Sequence, residues 1–158
     1  MAIHTGDTLP DIELQVMGEN GPEKVSTRAL FANKKVVLFA VPGAFTPGCS
    51  RTHLPGFVAL ADKIKARGVD SIVCTSVNDV FVMDAWGKAQ NADGIIMLAD
   101  GLGEFARALD LTQDRTEAQL GIRSQRYAMI VNDGRVELLN IDTQGIEKSS
   151  AETLLAAL

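Results

Sequence analysis

The chain is short of the residues that staple a fold or hold a metal: 158 residues include two cysteines and two histidines. Cys49 and Cys74 stand 25 positions apart, so there is no CxxC pair, and no Cys and His cluster at zinc-ligand spacing. A disulfide framework and a zinc-built domain are excluded, and no metal or organic cofactor is expected. In a reducing compartment both cysteines are thiols, and the open question is whether either is reactive. Basic residues are outnumbered, 15 Lys and Arg against 20 Asp and Glu, for a net charge of −5 at pH 7. Phosphate binding draws on the opposite balance, so nucleic acid is not the expected partner. Long apolar runs are missing too. Stretches such as Val36 to Pro42 and Gly94 to Ala99 fall far short of the roughly 20 residues a bilayer-spanning helix needs, so no membrane partner is expected. The opening MAIHTGDTLPDIEL has no basic start leading into an apolar run, as a secretory leader would. The expectation is a soluble, intracellular protein of the cytoplasm.

What is present suffices for one compact domain, taken over residues 1–158, with no repeat, low-complexity tract or linker. The first 34 residues read as short strands and turns: Asp11 to Val16 alternates weakly, Gly18 to Pro22 is a turn cluster, and Ser26 caps a helical turn to Phe31. Lys35 to Val41 is a buried strand stopped by Pro42-Gly43. Leu54, Phe57, Val58, Ala61 and Ile64 share one face of a helix that ends at Gly68. Ser71 to Val77 is a second strand, followed by a helix capped by Asn78 or Asp79 and running to about Ala89. Ile95 to Leu98 is a third strand and Leu102 to Leu109 a short helix. Tyr127 to Val131 and Val136 to Asn140 flank Asn132-Asp133-Gly134 as a hairpin, and the last eight residues suit a helix. This βαβαβ order with a hairpin and terminal helix predicts an α/β thioredoxin-like fold: an N-terminal β extension and a central mixed sheet flanked by helices.

The chemistry concentrates in VPGAFTPGCSRTHLPGF, Val41 to Phe57, just past the carboxyl end of a strand. Thr46 suits an N-cap and Pro47 the first helical position, which puts Gly48 and Cys49 in the first turn. Unpaired N–H groups and the helix dipole favour negative charge there, and the thiolate is the nucleophilic form of cysteine. Gly43 and Gly48 let a small substrate approach the backbone. The bland alternative is that Cys49 is a buried apolar residue. Thr46 can cap, catalyse or both, and Arg123 and Arg126 are both candidate surface cations. His53 lies four residues after Cys49, as a base or, the preferred reading, in a structural hydrogen bond. His4 carries no argument. Trp86 and Phe81 read as packing residues or as lining of the site mouth. Glu104, Arg107 and Asp110 read as a solvated face.

The segment resembles the active-site loop of the peroxiredoxins, whose pattern Pro-x-x-x-Thr-x-x-Cys is met by Pro42, Thr46 and Cys49. PGAFTPGCSRTHLPGF resembles the type II, or peroxiredoxin-5-like, subgroup. SVNDVFVMDAW at Ser76 to Trp86, LAD at Leu98 to Asp100 and GIRSQRYAMIVNDG at Gly121 to Gly134 extend the resemblance over nearly the whole chain. It implies that Cys49 attacks a hydroperoxide and becomes a sulfenic acid. Thr46 would hydrogen-bond thiolate and peroxide, Pro42 would shield the pocket, and Arg126, selected over Arg123, would stabilise the developing charge. Gly48, Thr46 and Arg126 would contact the substrate. A homodimer built partly near the active-site loop is implied as well.

The tail GIEKSSAETLLAAL has Ser149 and Ser150 where some relatives place a second cysteine, and Cys74 reads as buried inside its strand, out of disulfide reach of Cys49. The expectation is a one-cysteine cycle with an external reductant, for which the type II resemblance implies glutathione with glutaredoxin first, thioredoxin being second. Pro55 removes a helix bond to the Arg51 carbonyl, which should kink the helix and let the Cys49 turn open locally. The competing readings are a thiol-disulfide oxidoreductase, which lacks its CxxC pair, and a non-enzymatic chaperone or redox sensor, for which Pro42, Thr46 and Arg126 have no purpose.

Overall fold

The apolar runs of the sequence become the middle of a seven-stranded sheet in a computed structural model that describes residues 2–158. In chain order the elements are β1 (Glu13–Gly18), β2 (Gly21–Ser26), α1 (Thr27–Phe31), β3 (Lys35–Ala40), a π turn (Cys49–His53) leading into α2 (Leu54–Ala66), β4 (Ser71–Ser76) and α3 (Val80–Ala89). Then come β5 (Ile96–Ala99), α4 (Glu104–Leu109), β6 (Thr112–Asp114), β7 (Ile122–Ser124), β8 (Arg126–Asn132), β9 (Arg135–Asp142) and α5 (Ala151–Ala156). The large sheet has the order β2-β1-β5-β4-β3-β8-β9. β5, β4 and β3 are parallel, the β8–β9 hairpin joins β3 antiparallel, and the β1–β2 hairpin joins β5 antiparallel. This is the expected thioredoxin-like arrangement with its N-terminal β extension.

Strand alternation divides the core into two layers. Val37, Phe39, Val41, Ile72, Cys74, Ala128 and Ile130 meet Leu54, Phe57, Ile64, Met83, Trp86 and Leu154 from α2, α3 and α5. Val36, Leu38, Ala40, Val73, Tyr127, Met129 and Val131 meet Phe31, Phe105 and Leu109 from α1 and α4. Both faces of β3 and β4 are covered, which is why these strands read as continuous apolar runs.

The local signals have identifiable partners. Ser26 Oγ accepts from the Ala29 N–H, and Ser150 Oγ from the Thr153 N–H. Of the two candidate caps for α3, Asp79 takes the role, accepting from the Val82 N–H at 2.8 Å. Asn78 instead accepts from the Ala44 N–H, in the loop that follows β3. Asp133 and Gly134, at φ 49° and 79°, make a two-residue turn between Asn132 and Arg135, its positive dihedrals matching the twist of the hairpin. The small β6–β7 ribbon has no apolar alternation and was not expected; it delivers the chain to Arg126.

Candidate active site

The site forms where β3 hands over to a helix. The Val41 N–H still bonds to the Thr75 carbonyl, and Pro42 then ends the strand. The loop turns tightly: the Gly43 carbonyl accepts from the Thr46 hydroxyl at 2.6 Å, and Asn78 Oδ1 accepts from the Ala44 N–H at 3.0 Å. Phe45 has φ 64°, a left-handed conformation that costs a bulky residue on the order of 1–2 kcal/mol. The expected side-chain cap is therefore corrected. The Thr46 carbonyl accepts the first helical bond, from the Ser50 N–H at 2.9 Å, but its hydroxyl points back to Gly43 rather than forward to the helix. The hydroxyl hydrogen is committed there, which leaves oxygen lone pairs to accept from a ligand.

Pro47 and Gly48 are helical, and Cys49 opens the π turn, in which the Leu54 N–H bonds to the Cys49 carbonyl. Pro55 cannot donate to Arg51, and the ladder accommodates it by widening one turn ahead. The expected disturbance is thus a π turn carrying the cysteine. Ser50 in this turn accepts from the indole N–H of the fully buried Trp86 at 3.0 Å, which ties it to α3.

Cys49 is 0% exposed, yet not enclosed by hydrocarbon alone. Arg126, the first residue of β8, donates from Nη2 to the sulfur at 3.3 Å, while its Nη1 lies 2.9 Å from His53 Nδ1. Arginine has no acceptor, so Nδ1 is the acceptor and the imidazole hydrogen sits on Nε2, where the Ser149 carbonyl receives it at 2.9 Å. Phe39 and Phe57 wall the ring, with centroids 5.0 and 5.7 Å away. Burial, opposed by the Ser149 hydrogen bond and reinforced by the Arg126 charge, brings the His53 pKa down to about 4. His53 is therefore neutral at ordinary pH and occupied at both nitrogens, in a structural hydrogen bond rather than as a free base.

The structure brings Pro42, Gly48, Cys49 and Arg126 together. A cavity of about 420 Å³ is lined by Pro42, Gly48, Arg115, Arg126 and the loop 142–146. A Cβ on Gly48 would lie 3.4 Å from Arg126 Nη2, so the missing side chain opens the way to the guanidinium. Arg123 is diverted, bonding to the Leu120 and Val77 carbonyls. Cys74 lies in mid-sheet, register-paired with Phe39 and Met97. Phe81 is 64% exposed and belongs to neither core cluster. Sequence reasoning missed Asp142 and the partnership of Ser149 with His53. An acidic residue before a Gly-containing turn hints at a loop anchor, but no local pattern reveals a bond across 96 positions. Among the described residues, no three His, Cys, Asp or Glu converge as metal ligands and no helix is long and apolar enough to cross a membrane.

A sheet of this order with one cysteine at a strand-to-helix junction, bonded to an arginine from the following hairpin, defines a class: the chain belongs to the family described as Redoxin, whose model matches residues 4–155. Peroxiredoxin-2C of Oryza sativa subsp. japonica is 48% identical over 159 aligned residues, covering 99% of this chain and 98% of its own. Reduced Prx3 of Vibrio vulnificus, crystallised in complex with hydrogen peroxide, is 54% identical with a TM-score of 0.96, covering 98% of each chain. Peroxiredoxin 5 of Alvinella pompejana is 35% identical with a TM-score of 0.86, covering 98% of this chain and 97% of its own. Within the family the chain is a peroxiredoxin of the type II group, a thiol peroxidase.

Proposed function

We propose that Cys49 is the residue that reduces hydroperoxides, hydrogen peroxide and alkyl hydroperoxides alike, and that an external thiol regenerates it. The carrying observation is the Arg126 Nη2 to Cys49 Sγ bond at 3.3 Å, made by a cation whose other nitrogen rests on a neutral histidine. An N–H donor aimed at sulfur suits an anionic nucleophile. The Cys49 thiolate attacks one peroxide oxygen and the O–O bond breaks. The sulfur loses two electrons and becomes a sulfenic acid; the other oxygen leaves and takes a proton as water or alcohol. Arg126 lies where that oxygen gathers charge. Thr46, its hydrogen spent on Gly43, accepts from the hydroperoxide O–H. Gly48 gives room beside the guanidinium, and Pro42 shields the pocket wall. A peroxide is small enough to pass where larger oxidants are held out of a closed site.

The reductant is external, because Cys74 is buried in the sheet and the 142–150 loop offers serines; glutathione with glutaredoxin is the first choice, on the likeness to type II proteins, and thioredoxin the second. A glutathione thiolate would displace hydroxide from the sulfenic sulfur, giving a mixed disulfide that a second thiol resolves. Such a cycle belongs in a reducing cytoplasm. A homodimer is part of the reading. Phe45, Phe81, Leu102 and Ile122 are at least half exposed. Their loops converge at one end of the sheet: Ala44 bonds to Asn78, Gly101 abuts Asp79, and Arg123 bonds to Val77. An exposed apolar patch beside a site is the kind of surface a second copy covers.

The test is turnover of hydrogen peroxide by the reduced protein with glutathione and glutaredoxin, and separately with thioredoxin and its reductase, with mass spectrometry of the peroxide-treated protein after glutathione. A glutathione adduct on Cys49 and faster turnover with glutaredoxin are expected. An adduct confined to Cys74, or no peroxide consumption with either reductant, overturns the reading.

A further inference from the structure

Arg126 and Asp142 are direct partners in the β8–β9 register, at the end of the hairpin nearest the sulfur. An arginine and an aspartate so placed would ordinarily pair. Here the carboxylate is taken elsewhere. Asp142 Oδ2 accepts from the Glu147 N–H at 3.0 Å, the Ser149 N–H at 2.8 Å and the Ser149 hydroxyl at 2.6 Å, and Oδ1 accepts from the Lys148 N–H at 3.2 Å. Burial opposes the charge, but the Ser149 hydroxyl and these three N–H groups outweigh it and hold the carboxyl below its ordinary range. The anchored loop presents the carbonyl of Ser149, itself 0% exposed, to His53 Nε2, and His53 Nδ1 receives Arg126.

We propose that Asp142 is a positioning residue for the peroxidase reaction, holding the 147–149 segment so that Ser149 fixes His53, His53 aims Arg126 at the Cys49 sulfur, and the guanidinium is left without a carboxylate partner. Two consequences are distinct. Loss of the clamp frees the imidazole to turn, so the arginine loses its acceptor. A carboxylate released from the clamp but still present can swing to Arg126 and draw it off the sulfur. The charged and titratable groups facing Cys49 are Arg126 from β8, the Cys74 thiol from β4 and, next in line, His53 from its own helix and Asp142 from β9. The inference rests on Arg126 acting on Cys49, so Arg126→Gln serves as the reference variant.

The experiment measures the rate of Cys49 oxidation by hydrogen peroxide in a Cys74→Ser background, for Asp142→Asn, Ser149→Ala, Ser149→Thr, Arg126→Gln and the Asp142→Asn/Arg126→Gln pair. The pH profile of thiolate absorbance is recorded for each. Asp142→Asn is expected to slow oxidation by about ten- to a hundred-fold, the range typical when a partner that orients a reacting group is lost, and to move the thiolate profile to higher pH. Ser149→Ala should shift both in the same direction and Ser149→Thr, which keeps the hydroxyl, should restore them. In the Arg126→Gln background Asp142→Asn should add almost nothing, because both act through one guanidinium. If Arg126→Gln itself leaves the rate unchanged, the reading of the site fails. If Arg126→Gln is slow while folded Asp142→Asn and Ser149→Ala keep the parental rate and profile, or if the pair is fully additive, Asp142 is a loop clamp only. Should Asp142→Asn not fold, the two Ser149 variants decide by the same criterion.

Discussion

Cys49 and Cys74 are both 0% exposed and belong to the same apolar cluster, yet their surroundings differ in kind. Cys74 sits within β4 between Phe39 and Met97, and burial, with a smaller push from Cys49, raises its thiol well above the ordinary 9.0. Cys49 sits where a helix is widened into a π turn, faces a guanidinium N–H at 3.3 Å, and follows an exposed glycine. Exposure therefore does not tell the two thiols apart. What separates them is whether a cation was built against the sulfur. The largest effect follows directly: Cys49→Ser should abolish peroxide turnover, whereas Cys74→Ser should retain most of it. Native thiol counting should find Cys74 silent until urea unfolds the sheet; a Cys74 that reacts in the native protein breaks the comparison.

The second effect tests the cation. Arg126→Gln should lower the rate of peroxide reduction by roughly 10²–10³, as removal of one donor to a developing charge does. Arg123→Gln should leave that rate standing, because Arg123 is bound to the Leu120 and Val77 carbonyls. Steady-state kinetics of the two variants at saturating reductant decides it, and equal losses would erase the distinction between the arginines.

The sequence was legible where a signal is local. Periodicity placed β3, β4 and α2 within a residue or two of their ends, and Asp133-Gly134 marked the hairpin turn. The buried character of Cys74 followed from its place in an apolar strand. Thr46 was legible only by half: its position before Pro47 marked the helix start, but its hydroxyl was drawn to a carbonyl that the turn at Pro42 brings within 2.6 Å. The β6–β7 ribbon escaped because residues such as Thr112, Gln113 and Arg123 carry no alternation. The chain from Asp142 to Arg126 escaped because it is assembled from a sheet edge, a loop carbonyl and a helix face, contacts that only the closed fold creates.

The third effect concerns pH and again sets the two thiol neighbourhoods apart. His53 takes up a proton near pH 4 when folded and near 6.5 when unfolded. Between those values the unfolded chain binds more protons, so falling pH favours unfolding, on the order of 3 kcal/mol in all. Asp142, held low, contributes in the same sense at still lower pH. Cys74 works at the other end: its raised thiol contributes stability below its ordinary value of 9.0 that is lost as pH rises beyond it. Urea unfolding across pH should show the loss between about pH 6.5 and 4 removed by His53→Asn, and the alkaline loss reduced by Cys74→Ala, the buried Tyr127 hydroxyl, also raised, accounting for what remains. Acid sensitivity unchanged in His53→Asn would mean that the imidazole is not buried neutral.

The smallest effect is the most local. In the proposed cycle oxidised Cys49 reaches an external thiol, and the π turn is the segment that would open. It is held by the Trp86 indole on Ser50 Oγ and by His53 on the Ser149 carbonyl. Ser50→Ala removes one of these and leaves a buried indole N–H unpaired, a cost of roughly 1–3 kcal/mol. Because that bond is broken in the opened turn, its loss falls on the closed state and favours opening. The variant should exchange the amides of residues 50–54 several-fold faster while those of β4 keep their protection. The emission of Trp86, the one tryptophan in the chain, should shift with it. Faster exchange in β4 as well would show that the turn opens only with the whole sheet, in which case the two cysteines share one barrier to the outside and differ solely in the arginine.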